Sequence, residues 1–193
     1  MHWSAYNDGT SVLLAGDNKV VVGMHNGHCM PKWSQYQAAV HVAIHVLLKV
    51  YRSQTFRQPA IWHDWWVHIY REHNTEADKV ANNGRRMGHV VEQCTVQQVP
   101  LMKLCYMVTF DGSYADGLSG AGAVLWCTLL RPGKELLFKH PWQKVASIGV
   151  RTKHVSAMYA EMCGSMLALM LFLFQQKHAS VPQLANFGEL SLE

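Results

Sequence analysis

Residues 108–126, VTFDGSYADGLSGAGAVLW, constrain this chain more than any other stretch. An apolar, β-branched run ends on an acid, Asp111. Glycines at 117, 120 and 122 follow, and a second apolar segment covers Ala121 to Thr128. The pattern reads as strand, glycine-rich turn, strand, with Asp111-Gly112-Ser113 proposing the hairpin turn. An acid closing the most strand-like segment of a chain raises one question: which other carboxylates can join it.

The 193 residues suffice for one ordinary domain with a sizeable core. Only 16% of them are charged, which is a globular composition rather than a disordered one. The formal net charge of +4 is compatible with a polyanionic partner without identifying one. The five cysteines form no CxxC pair, so reduced thiols in an intracellular compartment, cytoplasmic or nuclear, are expected rather than a disulfide framework. The opening MHWSAYNDG lacks the basic-then-apolar pattern of a secretory signal, so the chain is expected not to be secreted. The most apolar run, Met162 to Phe174, is too short for a membrane span and predicts a buried helix.

Along the chain, Val12 to Ala15 predicts a central strand that ends at Gly16-Asp17-Asn18. Val20 to Val22 begin a helical segment. Pro31 to Tyr51 predicts a helix with an apolar stripe, and Arg52 to Asp64 a polar loop. Trp65 to Tyr70 alternates as a strand. Asn74 is an N-cap for a helix to about Met87, with Ala77, Val80, Ala81 and Gly84 facing inward. Gly88 to Leu104 has no clear period and reads as a connector. After the central hairpin, Lys144 to Val150 predicts a strand. Ser156 to Lys177 predicts a helix with Met162, Met166, Leu169, Met170 and Leu173 on its core face and Glu161 at the core edge. Strands and helices in this order define a mixed α/β domain.

Four acids therefore occupy telling places: Asp17 and Asp111 at strand ends, Asp78 in a first helical turn, and Glu161 beside a core face. Ligands collect at the carboxyl ends of strands in open α/β sheets. Carboxylates converging there repel one another unless a divalent cation neutralises them, and hard oxygen donors select magnesium or manganese. Two such ions clamp the attacking and leaving oxygens of a phosphodiester. Singly, each acid also has a bland role. Asp111 and Asp17 can cap turns, Thr75-Glu76-Ala77-Asp78 resembles a capping box, and Glu161 can be solvated.

Taken together, four blocks resemble the ribonuclease H family. Residues 106–126 resemble its first strand and hairpin, with Asp111 as the first acid. SAMYAEMCGSMLAL, 156–169, resembles the helix presenting its glutamate, Glu161. SVLLAGDNKVVV, 11–22, resembles the strand bearing its second aspartate, Asp17. VHIYREHNTEADKVAN, 67–82, resembles its last strand and helix, with Asp78 as the final aspartate and Asn74 in keeping. The family runs first aspartate, glutamate, second aspartate, last aspartate; this chain runs Asp17, Asp78, Asp111, Glu161. The resemblance thus implies a single domain over 1–193 in circularly permuted order. Residues 1–88 resemble the family's C-terminal half, 89–105 form a connector, 106–180 resemble the N-terminal half, and 181–193 form a tail. A fragment of two tandem copies is the rival arrangement, closing as a monomer or as a half-exchanged dimer.

The resemblance further implies a mixed five-stranded sheet flanked by helices and a metal-dependent endonuclease that hydrolyses the RNA strand of RNA–DNA hybrids. Asp111, Glu161, Asp17 and Asp78 would hold two magnesium or manganese ions, and cleavage would leave a 3′-hydroxyl. RNA would be distinguished through 2′-hydroxyl contacts. Backbone groups near Gly112 and Ser113, with Asn18 and Asn74, are candidate substrate contacts. Lys19, Lys32, Arg71, Arg85 and Arg86 are candidate phosphate contacts. Many members carry a histidine in a loop before the last helix. Here His73 immediately precedes Asn74 and stands as a local substitute or a bystander.

Other features carry less. His41 and His45 have metal-pair spacing but lack a zincin glutamate, and His25, His28 and Cys29 lack the second half of a finger. Trp62, Trp65 and Trp66 suit base stacking or simple packing. The alternative to the enzyme is a non-catalytic nucleic-acid-binding or interaction module of the same fold, for example a retroelement-derived fragment. No membrane partner is expected.

Overall fold

A computed structural model describes residues 11–29, 66–93, 103–130, 142–153 and 156–177. The helix expected over 31–51, the loop over 52–64, His41, His45, Lys32, Trp62, Trp65 and the tail lie outside them. The described elements are β1 (Ser11–Gly16), α1 (Lys19–His25), β2 (Trp66–His68), α2 (Thr75–Met87), β3 (His89–Gln93), β4 (Lys103–Ala115), β5 (Leu118–Leu130), β6 (Gln143–Arg151) and α3 (Ala157–Lys177). Strand order across the sheet is β2-β1-β4-β5-β6-β3. Strands β2, β1 and β4 run parallel, and β4, β5, β6 and β3 pair antiparallel. The fold is α/β, with a mixed six-stranded sheet flanked by helices.

The sixth strand corrects the five-stranded expectation. It comes from the segment read as a connector, where His89 to Gln93 pairs with Val150 to Ala146. No face of this strand is fully buried, so it carries no alternation to betray it. What holds it is the ladder itself together with the Lys144 ammonium, which meets Glu92 and lies 3.8 Å from Glu76 of α2.

The hairpin turn also moves. Asp111-Gly112-Ser113 lies well inside β4, paired with Gly122, Ala121 and Gly120. The chain turns instead at Asp116-Gly117, the two residues between the paired Ala115 and Leu118. Both have positive φ, 53° and 71°, as a two-residue turn matching the strand twist requires. Of the three glycines read as a turn, only Gly117 turns.

The two faces of the sheet are packed differently. Alternate residues of β5, Ala121, Ala123 and Leu125, join a large apolar cluster with Phe110 of β4 and Met162, Leu169, Leu171 and Phe172 of α3. Helix α3 is buried nearly all round up to Phe172, because its sequence is apolar nearly all round. Met166 and Met170, expected on its core face, are only partly buried. On the opposite face, Val124 and Trp126 meet Ala77 and Val80 of α2. There the helix comes down onto glycine: a Cβ on Gly122 would stand 2.4 Å from the Ala81 nitrogen, and one on Gly120 2.5 Å from the Arg85 nitrogen. Ala77, Val80, Ala81 and Gly84 form the buried stripe of α2, as its spacing predicts.

At the β2 end, α1 is locked in by a polar knot. His25 stacks on Trp66 with ring centroids 3.9 Å apart, and its Nε2 lies 2.8 Å from Ser165 Oγ. Ser165 Oγ donates to the Met162 carbonyl, so His25 Nε2 carries the proton. Burial pushes the His25 pKa down from 6.5 to about 3. Trp66 also meets Phe110 edge-on, which places it in the core rather than on a nucleic-acid surface.

Candidate metal centre

The parallel pairing of β1 with β4 builds the site. Their register ends at Gly16 opposite Phe110, so the next residues, Asp17 and Asp111, emerge side by side. Gly16 itself must be small, since a Cβ there would fall 2.4 Å from the Phe110 ring. Helix α3 brings Glu161 to the same point through two glycines. A Cβ on Gly112 would meet the Glu161 nitrogen at 2.3 Å, and one on Gly164 the Asp111 carbonyl oxygen at 2.5 Å. Ligand oxygens of Asp17, Asp111 and Glu161 consequently lie within 4.8 Å of one another. Three of the four acids singled out in the sequence are brought together.

Asp111 is 3% exposed and accepts from the Gly112 amide at 2.8 Å through Oδ1. Its other oxygen, Oδ2, and Glu161 Oε2 are buried without a hydrogen-bond partner among the described residues. Burial, then the Asp17 and Asp78 carboxylates, push the Asp111 pKa up to about 7 against the opposing Gly112 amide and Arg71. Burial, then Asp111 and Asp17, push Glu161 up to about 8, against the Asn18 side chain and the Gly112 amide. Clustered oxygens that cannot all ionise alone, two of them orphaned, suit a hard divalent cation. The donor set therefore fits one: the acidic triad could hold a metal ion.

Asp78 stands outside the triad, yet it bears on Asp111 electrostatically. It sits on the first turn of α2, its amide bonded to the Asn74 carbonyl at 3.0 Å. The Asn74 side chain does not cap this helix as expected. It is 1% exposed and donates to the Phe110 carbonyl at 2.9 Å, tying the start of α2 to β4 one residue before Asp111. The donation uses Nδ2, and Oδ1, the atom that would cap the helix, is buried without a partner among the described residues.

The other singled-out residues fall as follows. Asn18 caps α1, its Oδ1 accepting from the Val20 and Val21 amides at 3.1 and 3.2 Å. Ser113 is buried and its hydroxyl bonds inward, 2.7 Å from Asn82 Oδ1. Gly112 is the contact point for α3. Arg85 is bound to Ser113 and the Ala115 carbonyl, so it braces the hairpin. Lys19, Arg71 and Arg86 are exposed. His73 is exposed and ends the short 3₁₀ turn Arg71–His73.

Two residues at the site escaped the sequence reading. His68 Nε2 donates to the Asp17 carbonyl at 3.0 Å, and its ring meets Tyr70 edge-on. Nothing in the sequence separates this histidine from its neighbours. Asn82 donates to Asp78, and its spacing of four residues on one helix face was the available signal. The triad is the group of metal-ligand side chains that converges among the described residues; His25 belongs to the packing knot instead. No helix among the described residues is long and apolar enough to cross a membrane. No protein-family model matches the chain, and no curated protein matches it either.

Proposed function

We propose that this protein is a ribonuclease H-type endonuclease, hydrolysing the RNA strand of RNA–DNA hybrids with two magnesium or manganese ions. The observation that carries the reading is the convergence of Asp17, Asp111 and Glu161 from three separate elements at the point where the parallel β1–β4 pairing ends. The reading takes the family's two halves in permuted order. The half containing Asp17 and Asp78 closes on the half containing Asp111 and Glu161 through the β1–β4 pairing, within one chain. Strand β3 then begins the link between the halves.

Each residue has a role in this reading. Asp111 would be the ligand common to both ions, since the Asp17 and Asp78 carboxylates both raise its pKa. Glu161 and Asp17 would complete one ion site with it, and Asp78 would contribute to the second. Bound divalent ions supply Lewis-acid stabilisation of the attacking and leaving oxygens of a phosphodiester. His68 holds the Asp17 turn through its carbonyl, and Asn74 holds the start of α2 against β4. Arg71 and Lys19, exposed near the rim, take substrate phosphates.

The test is a cleavage assay on end-labelled RNA annealed to DNA, with magnesium, with a chelator, and with Asp111→Asn. The reading expects cutting only with metal and only by the wild type, leaving 3′-hydroxyl ends. No metal-dependent cutting, or equal cutting by the variant, removes it. Binding of hybrid without any cutting supports the non-catalytic module instead.

A further inference from the structure

Asp78 is the acid that the converged triad leaves out, and among the described residues Asn82 holds its side chain. Asn82, one turn further along α2, donates from Nδ2 to Asp78 Oδ1 at 3.2 Å and to the Asp78 carbonyl at 3.0 Å. The direction of this amide is fixed by its partners. Arg85 Nη2 lies 3.4 Å from Asn82 Oδ1 and can only donate, so the oxygen faces Arg85. The carbonyl and carboxylate of Asp78 can only accept, so the nitrogen faces them. Ser113 Oγ donates to the same Asn82 oxygen at 2.7 Å.

The chain of bonds continues into the sheet. Arg85 donates from Nε to Ser113 Oγ at 3.1 Å and from Nη1 to the Ala115 carbonyl at 3.1 Å, and Asp116 lies 3.8 Å from it. The β4–β5 hairpin therefore reaches Asp78 through two side chains. Helix α2 is itself seated on Gly120 and Gly122 of β5, so neither end of this chain of bonds can drift. A solvated acid on a first helical turn needs no such support. The helix dipole alone would favour it.

We infer that Asn82 is a positioning residue that presents Asp78 to a cation shared with Asp111, by fixing Asp78 Oδ1. The inference rests on the proposed two-ion site and deepens it, assigning the second site's geometry to the Asn82–Ser113–Arg85 chain.

Two substitutions separate positioning from folding. Asn82→Asp keeps an oxygen for Ser113 and Arg85 but loses the donor to Asp78. Asn82→Ala loses both without adding a charge. In manganese calorimetry the wild type should bind one ion at the triad and a second more weakly. Both variants should weaken only the second, by about tenfold, as loss of a group supporting a ligand does. In the hybrid assay the manganese concentration for half-maximal cutting should rise by a similar factor. The rate at saturating manganese should stay within about threefold of wild type, a split that general disruption would not give. Variants that titrate like the wild type, a wild type that binds one ion, or a saturating rate that falls with no change in manganese requirement would overturn the inference. A wild type that does not cut defeats the ribonuclease reading alone, since calorimetry still decides Asn82.

Discussion

The two faces of the sheet solve the same packing problem in opposite ways. Helix α3 lies on bulk: Phe110, Leu125, Met162, Leu169 and Phe172 fill the space between helix and strands. Helix α2 lies on absence: Gly120, Gly122 and Gly149 let its backbone come within van der Waals contact of the strands. Bulk buries apolar area, at roughly 25 cal/mol per Å². Close approach buries little, but it fixes where a helix stands. Among the described residues, the face carrying α3 adopts the second device where Gly112 meets Glu161 and Gly164 meets Asp111. Glycine marks the points where a carboxylate must be brought to Asp111, and large side chains mark the points where the domain is held together.

The largest effect should come from the bulky face. Leu125→Ala removes a fully buried side chain and should cost about 2–5 kcal/mol in urea unfolding. Magnesium affinity of the molecules that remain folded should be unchanged. If that substitution instead altered metal binding while sparing stability, the division between the faces would fail.

Next comes Gly122→Ala, whose new methyl would stand 2.4 Å from the Ala81 backbone. Overpacking of this kind costs about 1–3 kcal/mol. Here the helix must lift, carrying Asp78 away from Asp111, so cleavage should fall by more than the loss of folded protein explains. Measured stability and specific activity on one preparation would separate the two effects.

Legibility in the sequence follows the same division. The apolar face was readable because its pattern is long. Apolar runs exposed β4 and β5, and on the opposite face the spacing of Ala77, Val80, Ala81 and Gly84 gave the inward stripe of α2. Asp17, Asp111 and Glu161 were readable as acids at the ends or edges of such elements. Glycines were misread, because a glycine needed for close approach looks like a glycine needed for a turn. Gly120 and Gly122 are strand residues under a helix. Strand β3 was hidden because it is an edge with no buried face. Asn74 and His68 were hidden because their partners, the carbonyls of Phe110 in β4 and of Asp17 just after β1, are distant in sequence.

A third prediction concerns the site itself. Two buried carboxyls with raised pKa values are under repulsion at neutral pH when no cation is bound. Asp111→Asn should therefore stabilise the metal-free protein at pH 8 by about 1 kcal/mol or more, a rise of about 2–4 °C in melting temperature for a chain of this size. A loss of stability would mean that the carboxylate is a structural partner rather than a ligand.

The pH dependence holds two effects that oppose each other. The folded-state pKa values of Asp111 and Glu161 lie above their ordinary values of 3.8 and 4.5. Their contribution to stability is thus fully present below about pH 4 and is lost as pH rises through about 7 and 8. His25 is shifted the other way, from 6.5 to about 3, so its contribution is present above 6.5 and lost as pH falls. Metal-free melting temperature should fall toward pH 8 and again toward pH 4. Asp111→Asn should flatten only the alkaline limb. A His25→Leu variant should flatten only the acid limb. If either substitution flattened both, the knot at α1 and the acidic triad would not be independent.

The claim on which the rest depends is that Asp17, Asp111 and Glu161 form a divalent cation site. It is tested most directly by melting the protein at pH 8 across a magnesium series. A ligand that binds only the folded state raises stability by about 1.4 kcal/mol per decade of concentration above its dissociation constant. The wild type should show that rise, and Asp111→Asn, starting from a higher metal-free melting temperature, should show none. A wild type indifferent to magnesium, or a variant that rises in parallel with it, would contradict the account.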